Sequence, residues 1–189
     1  MPHWIIYGMT DSGKSYYVKK EFIEDSDIYN HKKLIIIDVT GEYEKYKDNK
    51  NIKYYFVDNA EPDEKQYKKL SYRILDKSYR KMVIIDECHL IGDSNSLLMK
   101  YIIKWVTISR KYNTEMIILT QRPQLIHSKT PHSQSYYRLY FAMDDGDIEA
   151  LRQGKYISKE QAEQIKPLDV DRHEFIIQEK KKFEGPYIL

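Results

Sequence analysis

The stretch Gly8-Met9-Thr10-Asp11-Ser12-Gly13-Lys14-Ser15 follows an apolar run, His3 to Tyr7, that reads as a buried strand, and it fits the phosphate-loop pattern G-x-x-x-x-G-K-[ST]. The spacing has a mechanical reason. Two glycines let the chain curl until backbone N–H groups face a β-phosphate, Lys14 reaches the β and γ oxygens, and the Ser15 hydroxyl meets Mg²⁺. A helix opening near Gly13 adds the positive end of its dipole. Glycine is only 7 of 189 residues, so a glycine pair at this spacing is no background feature of the chain, and a plain turn is the weaker reading. The prediction is a nucleoside triphosphate site built from all eight residues.

Outward from this loop, short apolar runs alternate with helical patterns. Leu34 to Val39, Tyr54 to Val57, Met82 to Ile85, Met116 to Leu119 and Arg138 to Met143 are the further strand candidates, and unbroken Ile, Val and Leu suit a parallel sheet covered on both faces. Lys14 to Glu24, Asp63 to Lys77 and Ser96 to Tyr112 carry helical spacing, the last through Leu97, Leu98, Tyr101, Ile102, Trp105 and Ile108. Repeated strand–helix–strand order predicts a doubly wound α/β fold. Beyond Met143 come two short helices, Asp147 to Gln153 and Ser158 to Ile165, then a C-terminal hairpin from His173 to Gln178 across Lys180 to Lys182. Polar loops are expected at Asp25 to Lys33, Glu44 to Asn51 and Gln124 to Ser135, and residues 1–189 read as one domain.

Two more stretches carry chemistry. Met82-Val83-Ile84-Ile85 delivers Asp86 and Glu87 to the C-terminal end of a strand, where ligand sites form in such sheets. Asp86 is expected to hold Mg²⁺ together with Ser15, and Glu87 to accept a proton from an attacking water, which points to hydrolysis. Cys88 and His89 have no second cysteine and no zinc spacing around them, and carry no assigned chemistry. Met116-Ile117-Ile118-Leu119-Thr120-Gln121 ends another buried strand; if it lies between the other two, Gln121 faces the γ-phosphate, where an amide can both donate and accept without net charge.

With these elements in hand, the chain resembles the HerA/FtsK superfamily of DNA-pumping ATPases. The matching pieces occur in order: GMTDSGKS, then Ile37 to Tyr43 with a D-x-x-G-E-Y stretch, then VIIDE ending at Glu87, then LTQRP from Leu119 to Pro123. The resemblance covers nearly the whole chain and looks most like viral genome-packaging ATPases. It implies a RecA-like P-loop NTPase fold, mainly parallel, with a C-terminal β-hairpin. It implies ATP and Mg²⁺, with nucleotide bound by Gly8 to Ser15, metal on Ser15 and Asp86, and catalysis by Lys14, Glu87 and Gln121. It further implies a hexameric ring on double-stranded DNA, with an arginine finger from the neighbouring subunit, Arg110 first and Arg122 second, and a capsid or portal partner. His127, Lys129 and His132 in the Gln124 to Ser135 loop are the candidate DNA contacts. Asp38 and Glu42 are expected to brace a loop. Asp11 departs from the family's small residue at its position.

Composition bounds the alternatives. With 41% hydrophobic and 32% charged residues the chain suits a soluble globule, and a net charge of +2 implies local rather than surface-wide contact with nucleic acid. One cysteine precludes an internal disulfide framework and suits a reducing cytoplasm, and no apolar run approaches membrane-spanning length, so no membrane insertion is expected. The runner-up readings are a plasmid or chromosomal DNA pump and an assembly ATPase of the zonula occludens toxin type of filamentous phages. A nucleotide kinase would need an arginine-rich lid and a GTPase an N-K-x-D motif; a nucleotide-gated scaffold remains as the non-enzymatic alternative.

Overall fold

Four- to seven-residue runs of Ile, Val, Leu and aromatic residues build the sheet at the centre of the molecule. In this computed structural model, residues 2–24, 33–57, 64–78, 80–91, 97–126 and 129–189 are described. The strands are β1 (Trp4–Tyr7), β2 (Lys33–Asp38), β3 (Ile52–Phe56), β4 (Lys81–Ile85), β5 (Thr114–Thr120), β6 (Tyr137–Phe141), β7 (Glu174–Glu179) and β8 (Lys182–Ile188). They pair in the order β3-β2-β4-β5-β1-β6-β7-β8. The first six run parallel, and β7 and β8 add an antiparallel hairpin at the edge. This is the α/β RecA-like P-loop NTPase fold that the motif order implied.

Alternation along the strands sends consecutive residues to opposite faces. Ile5, Ile35, Ile37, Val83, Ile85, Met116 and Ile118 enter one core, with Leu70 and Ile74 of helix α2 (Glu64–Ile74) and Met99, Ile102, Trp105 and Val106 of α3 (Leu97–Ile108). Ile6, Ile36, Met82, Ile84, Ile117 and Leu119 enter the other, under Val18 of α1 (Lys14–Val18) and Phe22. Trp105 is fully buried and donates its indole N–H to the Ser71 hydroxyl at 2.8 Å, tying α3 to α2. Truncating a buried side chain of this size to Ala costs about 3–5 kcal/mol.

Helices α4 (Lys129–Gln134), α5 (Asp145–Gln153) and α6 (Lys159–Ile165) complete the described set. Helix α6 opens with a capping box, the Ser158 hydroxyl accepting from the Gln161 N–H while the Gln161 side chain accepts from the Ser158 N–H. Two expected loops contain helical turns: Glu44–Tyr46 within the first, and Pro123–Leu125 and α4 in and around the second. The expected loop from Asp25 to Lys33 lies outside the described residues except at Lys33, which begins β2.

Candidate functional site

Strand order brings the three motifs together. β5 lies between β4 and β1, with Ile85 in register with Ile118 and Tyr7 with Thr120, so the chain leaves all three strands at one edge of the sheet. From that edge emerge Asp86 and Glu87 after β4, Gln121 after β5 and the glycine-bordered loop after β1.

Their side chains form one connected set. The Gln121 amide donates through Nε2 to Glu87 Oε1 at 2.8 Å, and its backbone N–H donates to Glu87 Oε2 at 3.2 Å. Thr10 donates its hydroxyl to Gln121 Oε1 at 3.1 Å, which fixes the amide from its other side. Lys14, only 4% exposed, donates to the Met9 carbonyl at 2.9 Å and lies 3.6 Å from Glu87 Oε1. Burial pushes the Lys14 pKa down, opposed chiefly by Glu87. A cavity of about 370 Å³ opens over this set, lined by residues 10 to 16, Glu42, Glu87, Gln121 and His173 among others.

Backbone conformation shapes the loop. Gly13 has φ 98 and Asp11 φ 59, both left-handed, and Asp is among the few side-chain-bearing residues that tolerate this region. An aspartate at position 11 therefore fits the turn, where it is exposed on the cavity wall. A Cβ on Gly8 would come within 2.5 Å of Ser12 Oγ and 2.7 Å of Phe141 Cβ, so the loop's first glycine is fixed by close packing. Glu87 also has positive φ, 41, a strained conformation of the kind that concentrates at ligand sites.

Asp86 is fully buried and accepts from the Thr40 hydroxyl at 2.8 Å through Oδ2, while Oδ1 has no partner among the described residues. Burial first, and the Glu87 charge second, push its pKa up to about 7. An unpaired carboxylate oxygen beside a hydroxyl-bearing phosphate loop is the donor set a hard divalent cation takes, so Asp86 and Ser15 fit Mg²⁺. Among the described residues no group of three or more His, Cys, Asp or Glu side chains could hold a metal ion by themselves. Cys88 is buried, and its thiol is pushed up to about 12 by burial and by Glu87, which removes it as a nucleophile.

Asp38 acts as a brace. Its Oδ1 accepts from the N–H groups of Thr40 (3.1 Å) and Gly41 (2.9 Å), and its Oδ2 from the Tyr43 N–H (2.9 Å) and the Tyr54 hydroxyl (3.0 Å). Glu42 behaves differently: it lines the cavity and pairs with Lys19 at 3.3 Å. Thr10 was expected here as part of the eight-residue loop, whereas Thr40, Tyr16, Lys19 and His173 lay inside stretches read for structure and were not assigned to the site from the sequence.

One expected DNA contact is corrected. His132 is 1% exposed, its ring stacks on Tyr156 with centroids 4.1 Å apart, and its Nδ1 lies 2.6 Å from the Tyr7 hydroxyl. A side chain closed in this way has no face for a phosphate. His127 lies outside the described residues, and Lys129 opens α4. Arg110 is exposed and donates to the Gln134 carbonyl. Arg122 pairs with Asp144 at 3.5 Å and Asp147 at 3.4 Å. No described helix is long and apolar enough to cross a membrane.

Known proteins share this fold. Residues 4–135 match the family model described as zonular occludens toxin (Zot). The fold is similar to the genome packaging NTPase B204 of Sulfolobus turreted icosahedral virus 2 in complex with AMPPCP, with 22% identity, 100% of this chain and 98% of that one covered, and a TM-score of 0.76. It is similar to B204, the DNA-packaging ATPase of Sulfolobus turreted icosahedral virus, with 22% identity, 98% of both chains covered and a TM-score of 0.77. VirB4 of Thermoanaerobacter pseudethanolicus is 12% identical over 99% of this chain and 89% of that one, with a TM-score of 0.73. No curated protein matches the chain significantly.

Proposed function

The chain belongs to the zonular occludens toxin (Zot) family, and on that premise we propose that it is an ATP-hydrolysing motor that moves double-stranded DNA, in the manner of a viral genome-packaging ATPase. The observation that carries this reading is the 2.8 Å bond from Gln121 Nε2 to Glu87 Oε1 with Lys14 3.6 Å from the same oxygen, which gathers a phosphate-binding cation, a base and an amide at one point. The likeness to B204 over nearly the full length of both chains supports packaging as the task.

Each group has a definite part in the chemistry. Backbone N–H groups of Gly8 to Ser15 and the Lys14 ammonium hold the β- and γ-phosphates. Ser15 and Asp86 would hold Mg²⁺, which when bound neutralises charge on the same oxygens. Glu87 takes a proton from the water whose oxygen attacks the γ-phosphorus, as the bond to the β–γ bridging oxygen breaks and ADP and phosphate separate. Gln121 holds Glu87 in place and registers whether the γ-phosphate is there.

The transition-state arginine is assigned to a second copy, as in ring-forming motors. Arg110 is the better choice because it donates to a neutral carbonyl, that of Gln134, whereas Arg122 already faces two carboxylates. A finger of this kind is worth on the order of 10³ or more in rate and requires a ring or a dimer, with a hexamer as the proposed form. A capsid or portal partner belongs to the same proposal.

The match to the Zot model favours one second reading, an assembly ATPase of filamentous-phage type. ATP turnover with and without long duplex DNA, for wild type and Glu87→Gln, separates the readings. The motor predicts stimulation by DNA and its loss in Glu87→Gln. Turnover that depends on Glu87 and ignores DNA favours the assembly ATPase, and turnover indifferent to both points to a nucleotide-gated scaffold.

A further inference from the structure

Two parts of the cavity wall differ in kind. In one, Thr10 holds Gln121 and Gln121 holds Glu87. In the other, the C-terminal residue and the turn before β7 press on Gly13, where an added Cβ would come within 2.8 Å of Leu189 Cδ1 and 3.1 Å of His173 Cβ.

That turn is tightly built. Asp169 Oδ1 accepts from the N–H groups of Asp171 (2.8 Å) and Arg172 (3.3 Å), and the Asp169 N–H donates to Glu174 Oε2 at 3.2 Å. The His173 N–H donates to the Val170 carbonyl and the Glu174 N–H to the Asp169 carbonyl, both at 3.1 Å, and Arg172 pairs with Glu174 at 3.2 Å. Together these bonds hold His173 at φ 49, on the cavity wall. A glycine or asparagine would take that conformation with less strain. The imidazole adds no hydrogen bond to the turn, and its Nδ1 is shut from solvent with no partner among the described residues. An imidazole whose ring takes no part in holding the turn, carried at strained φ on a cavity wall, is placed for a ligand rather than for the fold. Tyr16, 58% exposed, lines the same cavity one residue beyond Ser15.

We infer that His173 meets the nucleoside of the bound triphosphate, with the Tyr16 ring as a second contact, so that this part of the cavity selects a nucleoside triphosphate over bare triphosphate. The inference rests on the reading of Gly8 to Ser15 as a triphosphate site: with the γ-phosphate beside Glu87 and Gln121, the sugar and base leave the loop past Gly13 and Ser15, where His173 and Tyr16 line the wall. A planar imidazole can stack on a base and exchange hydrogen bonds with a ribose hydroxyl or a base edge.

Calorimetric titration of ATP and of inorganic tripolyphosphate into wild type, Lys14→Ala and His173→Gly tests this, glycine being chosen because it accepts the positive φ. His173→Gly is expected to weaken ATP by about tenfold while changing tripolyphosphate by less than about twofold, lowering the ratio of the two affinities. His173→Asn, which keeps a polar group and tolerates the same φ, is expected to fall between. An unchanged ratio, whether both affinities hold or both fall together, overturns the inference. Failure of wild type to bind either ligand overturns the triphosphate site itself, whereas loss of both ligands in Lys14→Ala with an unchanged ratio in His173→Gly overturns only the role of His173.

Discussion

Two clusters of buried polar side chains lie at opposite ends of the same strands. At the amino end of β1, His3 is fully buried, with Nε2 3.1 Å from the Val106 carbonyl and 3.4 Å from the Ser109 hydroxyl, while Nδ1 accepts from the Met116 N–H at 3.2 Å. At the carboxyl end, Asp86 and Ser12 are equally buried, yet Asp86 Oδ1 and Ser12 Oγ have no partner among the described residues, and Glu87 and Asp11 sit at positive φ. Burial alone therefore does not separate fold from function. The His3 cluster is closed on itself and ties β1, α3 and β5 together; the Asp86 cluster keeps open valences and strained backbone where a ligand would complete it.

The largest expected break in this comparison is Lys14→Ala. It should lower ATP affinity at least about a thousandfold, about 4 kcal/mol, while the melting temperature stays within about 2 °C of wild type. Calorimetry and thermal melts check both halves; unaltered ATP affinity would overturn the phosphate-loop assignment.

Acid should act on the closed side. Burial first and a nearby arginine second, Arg110 for His3 and Arg138 for His132, push both pKa values down to about 4. Both imidazoles are then neutral in the fold, while the unfolded chain protonates them near 6.5, so it binds more protons below that value. The stabilisation is present above pH 6.5 and is lost as pH falls toward 4, by about 2 kcal/mol for each histidine at pH 5. Asp86, whose carboxyl is raised to about 7, acts with the opposite sign over the same range, so denaturant unfolding at pH 7 and pH 5 is compared between wild type and His3→Leu; an equal pH dependence in both would contradict neutral burial of His3.

His3→Leu sharpens the same point. The Val106 carbonyl and Met116 N–H would lose their partner, costing about 3 kcal/mol of stability, with ATP affinity unchanged and the His3 share of the acid sensitivity removed. Loss of nucleotide binding in a folded His3→Leu would break the division between the two ends. The smallest effect is expected from Asp11→Gly, which removes a carboxylate from the cavity wall and suits φ 59; ATP should bind a few-fold tighter. A titration without change would leave Asp11 neutral toward the ligand.

The open end was far more legible in the sequence than the closed one. Strands buried on both faces announce themselves as unbroken apolar runs, and chemistry at their carboxyl ends follows in sequence, so Glu87 and Gln121 could be placed once β5 was set between β4 and β1. His132 misled because its partners, Tyr7 and Tyr156, are far away in the chain, and a polar stretch around it concealed α4. His173 lies in a turn of polar residues with no local pattern, and only the approach of that turn to Gly13 gives it meaning. Asp38 was read as a brace, and its bonds to Thr40, Gly41, Tyr43 and Tyr54 supply one.

Single-turnover ATP hydrolysis by Glu87→Gln, Gln121→Ala and the double variant is the most direct test of whether Glu87 and Gln121 work as one unit at the γ-phosphate. Glu87→Gln should slow hydrolysis by on the order of 10² to 10⁴ with ATP still bound, and the double variant should be no slower than Glu87→Gln alone. Losses that multiply in the double variant would mean that the two side chains act separately, and the account of a joined site would be contradicted.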